Sequence, residues 1–162
     1  MKAKELGINL YNLSNLNLEG RGGSEKIFSL KVFSNSWKRE SCKLHDFRNT
    51  QTGILIELKK QQTGQWFDPG KHYLLSEEEK NTLIMFCLWD KKTGAVDALF
   101  TTRTIDFIQS CFPPQQIKYT FELTQMFPGQ QSKVTINIRK WFHNNRDKVN
   151  LLYIRNADIK NV

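Results

Sequence analysis

Short apolar runs broken by polar punctuation recur along the chain, and most of them predict strands. The clearest is Leu83-Ile-Met-Phe-Cys-Leu-Trp89, an unbroken apolar run suited to a central strand buried on both faces. Asp90-Lys-Lys-Thr-Gly94 reads as a turn, and Ala95 to Thr101 as the returning strand. Upstream, Cys42 to Phe47 predicts a strand, Arg48 to Gly53 a turn, and Ile54-Leu-Ile-Glu-Leu-Lys-Lys60 the second strand of a hairpin. Lys118 to Leu123, Val134 to Ile138 and Leu151 to Ile154 predict further strands.

Helical signals are fewer. The stretch up to Gly23 reads as one or two short helices with a glycine-rich exit, and Ser24 can cap a new element. Lys26 to Phe33 supports both the helical and the strand period, and Asn35 to Ser41 reads as a polar connection. Thr63 to Lys71 predicts a loop, and Ser76-Glu-Glu-Glu79 has the spacing of a capping box. Ile105 to Cys111 predicts a helix that stops before Pro113-Pro114. The expectation is one mixed α+β domain over residues 1–162, built on a sheet with several hairpins.

Composition narrows the class. The chain has 162 residues, enough for one domain with a real core, and 12% aromatic content is too high for a disordered chain. No run approaches the roughly eighteen consecutive apolar residues of a membrane span. The opening MKAKELGINLYNLSN lacks the apolar segment of a secretion signal, so a cytoplasmic protein is expected. Cys42, Cys87 and Cys111 are odd in number and far apart, which suits free thiols better than zinc ligands or disulfides.

Charge adds the first functional clue. Lys and Arg number 24 against 16 Asp and Glu, a formal charge of +8. Such an excess favours a polyanionic partner, nucleic acid before membrane, because no basic amphipathic helix stands out. From Lys133 onward there are seven basic and two acidic residues. Within that third, Arg139, Lys140, Asn144, Arg146 and Lys148 mix the basic and amide groups that contact phosphates and purine edges. A solvated helix or turn gives the same pattern.

The hairpin carries the sharpest chemistry. Residues i and i+2 of a strand share a face, so Leu55, Glu57 and Lys59 point one way and Ile54, Ile56 and Leu58 the other. The aliphatic set reads as core, which leaves an acid and a base side by side on the other face. A turn centred near Gln51 brings Asp46 opposite Leu55 or thereabouts. Two carboxylates suit Mg²⁺, which takes oxygen ligands and keeps several waters. A lysine one strand-step from the acid can orient a water and offset negative charge building on phosphorus.

This arrangement, Asp46 followed by Glu57-Leu-Lys59, resembles the PD-(D/E)xK nuclease superfamily, the fold of most restriction endonucleases. His45 stands where the family's nominal proline would be. The resemblance covers about residues 25–110 and implies a restriction-endonuclease-like sheet flanked by helices. It assigns Asp46 and Glu57 to a Mg²⁺ ion and Lys59 to the water, with Gln61 as a helpful polar residue. It also implies an upstream acid, for which Glu25 is the candidate and Glu40 a weaker one. The implied activity is Mg²⁺-dependent hydrolysis of double-stranded DNA, of restriction or intron-homing type, leaving a 5′-phosphate. Arg48 and Lys60, beside the hairpin, join the expected DNA contacts. One small chain offers one site while duplex cutting needs two scissions, so a homodimer or higher symmetric oligomer is expected.

Other chemistries fare worse. His45, His72 and His143 are scattered without a paired nucleophile, and Glu19-Gly-Arg-Gly-Gly23 lacks the Lys-Ser/Thr ending of a phosphate loop. Trp66-Phe67 reads as packing before it reads as a base-stacking platform. The rival from another class is a non-catalytic basic module that binds nucleic acid through its sheet and aromatics.

Overall fold

A computed structural model describes residues 1–19, 32–40, 45–64, 82–111 and 136–155. Its centre is a six-stranded mixed sheet in which the strands lie in chain order: β1 (Trp37–Arg39), β2 (Phe47–Asn49), β3 (Leu55–Gln62), β4 (Leu83–Trp89), β5 (Val96–Arg103) and β6 (Asn150–Ile154). β1, β2 and β3 form an antiparallel meander, β3 and β4 run parallel, and β4, β5 and β6 are again antiparallel. Three α-helices are described, α1 (Leu10–Ser14), α2 (Thr104–Cys111) and α3 (Ile138–Asn144), with a 3-10 turn at Arg146–Lys148. This is an α+β architecture. No helix among the described residues is long and apolar enough to cross a membrane.

The sheet separates two cores. On one face Phe47, Ile56, Leu58, Met85, Cys87 and Leu99 meet the N-terminal segment through Leu6, Ile8, Leu13, Leu16 and Leu18. On the other, Ile84, Phe86, Leu88, Ala98 and Phe100 meet α2 through Phe107 and Ile108, and α3 through Ile138, Trp141 and Phe142. Phe86 lies 5.2 Å from Phe107 between ring centroids, and Phe100 stacks on Phe142 at 4.5 Å. Coverage of both faces explains why β4 reads as an unbroken apolar run.

Three expectations shift. Residues 35–41 hold a strand, β1, because Trp37 is buried, packs on Phe33 and donates its ring N–H to the Leu6 carbonyl. Among the described residues the first strand of the hairpin is Phe47–Asn49, which leaves out His45 and Asp46 and runs into residues taken as turn, while Cys42 to Leu44 lie outside the described residues. Asn49 closes that turn. Its Oδ1 accepts the backbone N–H groups of Gln51 and Thr52, each at 3.0 Å, and Gly53 takes φ +74°, which a residue with a Cβ adopts at a cost. Ile138, expected to end a strand, opens α3 instead, because Asn137 caps that helix by accepting the Lys140 N–H at 3.2 Å.

The strands at 83–89, 95–101 and 151–154 and the helix at 105–111 are found at or within two residues of the expected bounds. Ser24, most of Lys26 to Phe33, Trp66-Phe67, Ser76 to Glu79 and Lys118 to Leu123 lie outside the described residues.

Candidate functional site

Register decides what the hairpin presents. Phe47 pairs with Ile56 and Arg48 with Leu55, so Asp46, just before β2, is level with Glu57 rather than Leu55. The pairing centres between Gln51 and Thr52, one residue later than an Asp46–Leu55 pairing requires, and that moves the partner of Asp46 by two residues. Asp46 donates its backbone N–H to the Ile56 carbonyl at 2.8 Å. Where the β2 ladder stops, its side chain continues it: Oδ2 accepts the Leu58 N–H at 2.8 Å. Leu58 lies between Glu57 and Lys59, so the acid of the first strand is tied to the peptide that separates the acid and base of the second.

Glu57 and Lys59 share a face of β3, as the alternation requires, and Lys59 Nζ meets Glu57 Oε1 at 2.6 Å. The Glu57 side chain is 15% exposed. Burial pushes its carboxyl above the usual value, and the neighbouring Asp46 charge adds to the rise, while Lys59 pulls it down. Gln61 follows on the same face, 6% exposed, with its Oε1 buried and without a hydrogen-bond partner.

Glu40 fastens the approach to this acid. Its backbone N–H donates to the Asp46 carbonyl at 2.8 Å, and its carboxylate joins the His45 ring at Nε2 and the Arg48 guanidinium at 2.7 Å. Those two partners hold the Glu40 carboxyl below its usual value, Arg48 contributing most. His45 is buried, and its Nδ1 has no partner. Glu40 is thereby committed to a clamp, which argues against it as the additional metal-holding acid. Glu25, the other candidate, lies outside the described residues.

Asp46 and Glu57 are the residues that would hold a hard cation here. Asp46 and Glu57 each commit one oxygen, to the Leu58 N–H and to Lys59, and each keeps a second. The orphaned Gln61 Oε1 lies on the same face but four residues further along β3, roughly 13 Å away, outside the reach of an ion held by that pair. Among the described residues, no three His, Cys, Asp or Glu side chains converge as a metal-holding group. An ion held by Asp46 and Glu57 alone would keep most of its water, as Mg²⁺ does with one or two carboxylates.

The expected DNA contacts divide. Arg48 lies on the Glu57 face, in register with Leu55, and shares its charge with Glu40. Lys60 points to the opposite face, where its ammonium sits 5.7 Å from the Trp89 ring, so it is removed from the site. Arg139 is also corrected: it is 6% exposed and donates to Asp97 Oδ2 and to the Trp89 carbonyl, each at 2.8 Å. A guanidinium buried in that pair holds α3 to the sheet and cannot reach a phosphate. Lys140, Asn144, Arg146 and Lys148 are exposed, Arg146 stacking on the Phe142 ring at 3.9 Å.

Part of this was open to sequence reading. Strand alternation places Glu57, Lys59 and Gln61 on one face, but nothing in the linear order ties Glu40 to residues 45 and 48. The chain matches no protein-family model and no curated protein.

Proposed function

We propose that the protein is a Mg²⁺-dependent endodeoxyribonuclease that hydrolyses phosphodiester bonds of double-stranded DNA, with Asp46, Glu57 and Lys59 as its reacting centre. The observation that carries the reading is the Asp46–Leu58 bond, which fixes an acid beside an acid-x-Lys pair on a two-strand hairpin. The order of elements supports a restriction-endonuclease-like fold: hairpin first, then a buried strand and its own hairpin partner.

In this reading Asp46 and Glu57 hold the ion through their uncommitted oxygens. When bound, Mg²⁺ supplies Lewis-acid polarisation of a phosphoryl oxygen and a lowered pKa for water. Lys59 orients the attacking water and offsets the charge growing on phosphorus. Its present partner, Glu57 Oε1, keeps the ammonium within reach of that position. Glu57 ionises against its burial, and a cation beside it removes that penalty, so metal and carboxylate favour each other.

Two copies of the chain, one site per strand, then make a duplex cut. Sequence-specific cleavage of restriction or homing type is the proposed role. The test is digestion of a mixed plasmid and genomic DNA panel in Mg²⁺ by wild type, Glu57→Ala and Lys59→Ala. Discrete fragments from wild type alone support the reading. Equal cutting by all three discards this site, and binding without cutting by any of them favours a passive nucleic-acid module.

A further inference from the structure

Helices α2 and α3 cover their face of the sheet over β4 and β5. The same face of β1, β2 and β3 presents a different surface. Lys38 pairs with Arg48, and Arg48 with Leu55, so the three side chains form one row across the meander. Glu57 and Lys59 follow Leu55 along β3 on that face. Trp37, Phe47 and Ile56, the neighbours in each strand, point into the opposite core.

The row sets two cations on adjacent strands, which repel when directly opposite. Arg48 is partly compensated by Glu40. Lys38 is exposed and has no acidic partner among the described residues. Strand spacings of about 4.8 Å across and 3.4 Å along the chain put Lys38 roughly 12 Å from Glu57. That is the reach of a few nucleotides, at about 3.4 Å of axis per phosphate on one strand. With Glu40 on Arg48 and Glu57 on Lys59, the uncompensated charge of this face among the described residues is that of Lys38. It complements a chain of phosphates.

We propose that the β1–β2–β3 face is where a DNA phosphate backbone lies on its way to Glu57, with Lys38 as a phosphate-gripping residue. The inference rests on reading the hairpin as a nuclease site. It adds the edge of the meander to the expected contacts of the C-terminal third, where Lys140, Arg146 and Lys148 are exposed.

The experiment measures duplex affinity in EDTA, from about 50 to 200 mM salt, for wild type, Lys38→Gln and Lys92→Gln. Lys92 is an exposed lysine on the β4–β5 turn, away from this face. Every phosphate that a variant no longer neutralises lowers the slope of log affinity against log salt by about 0.9. Lys38→Gln is expected to show that reduction, with several-fold weaker binding at low salt, and Lys92→Gln the wild-type slope. Because Lys38 is exposed and opposes Arg48, its variant melts no lower than wild type, which is checked alongside.

A wild-type slope in Lys38→Gln overturns the inference while leaving the nuclease reading intact. An equal reduction in Lys92→Gln also overturns it, since the attraction is then diffuse. Polyglutamate bound as tightly as duplex assigns the face to an acidic protein instead. Wild type that binds no DNA at all defeats the nuclease reading, and this inference with it.

Discussion

Asp46 Oδ2 accepts the backbone N–H of Leu58 at 2.8 Å, and Leu58 is the residue between Glu57 and Lys59. A carboxylate thus stands in for the ladder carbonyl that β2 no longer supplies. The bond sets the first acid against the second at a fixed offset, so any cation they share meets a preformed pair. Positioning of this kind cannot be separated from folding, because the same bond closes the hairpin.

Glu57 carries a stability cost. A carboxyl raised by folding binds its proton more tightly in the folded chain, so stability falls as pH rises from the ordinary value of 4.5 through the raised folded value. Above that window the cost is fully present. Glu57→Gln in metal-free buffer at pH 8 is expected to melt higher than wild type. The gain shrinks below pH 4.5, and calorimetric melting at the two pH values checks it.

Glu40 has the opposite sign. Its carboxyl is held below 4.5 by Arg48 and His45, so its contribution is present above that value and is lost as pH falls through the folded one. Glu40→Gln is expected to melt lower than wild type at pH 7 and to converge with it in acid. Parallel melts across pH 3 to 7, roughly the span of carboxyl titration, read this out directly.

Arg139 belongs to the architecture. Its pair with Asp97 is buried, and removing one partner of such a pair costs about 3–5 kcal/mol. Arg155 also bonds Asp97 and leaves that carboxylate a partner, which places the expected loss for Arg139→Met at the lower end, about 3 kcal/mol. Urea unfolding measures it, and the salt slope of DNA binding stays at the wild-type value.

Cys87 is fully buried, and burial pushes its thiol up to about 12. It is expected to react with a disulfide reagent only as the chain unfolds, because the thiolate is the nucleophile. Mass-spectrometric mapping of labelled peptides, native against urea, checks it.

Strong local signals were legible in the sequence, and long-range partnerships were not. The run from Leu83 to Trp89 announces a strand covered on both sides, and alternation in β3 separates Ile56 and Leu58 from Glu57 and Lys59. β1 escaped because its three residues are mostly polar and gain their place from one buried ring, Trp37. The level of Asp46 escaped because the turn residues fix register, and Asn49 does so through side-chain bonds that composition does not reveal. Arg139 looked like a nucleic-acid contact because its neighbours are basic. Its partner Asp97 is 42 residues away, on β5.

The most direct test of the central claim is nicking of supercoiled plasmid in Mg²⁺ by Asp46→Asn and Glu57→Gln beside wild type, with EDTA as the blank. Wild type is expected to nick in a metal-dependent way, and each variant to fall by at least about 100-fold, the scale of removing a transition-state charge contact. Melting curves on the same samples should show Glu57→Gln folded and more stable than wild type. Wild-type rates in a folded Glu57→Gln, or nicking that persists undiminished in EDTA, would contradict it.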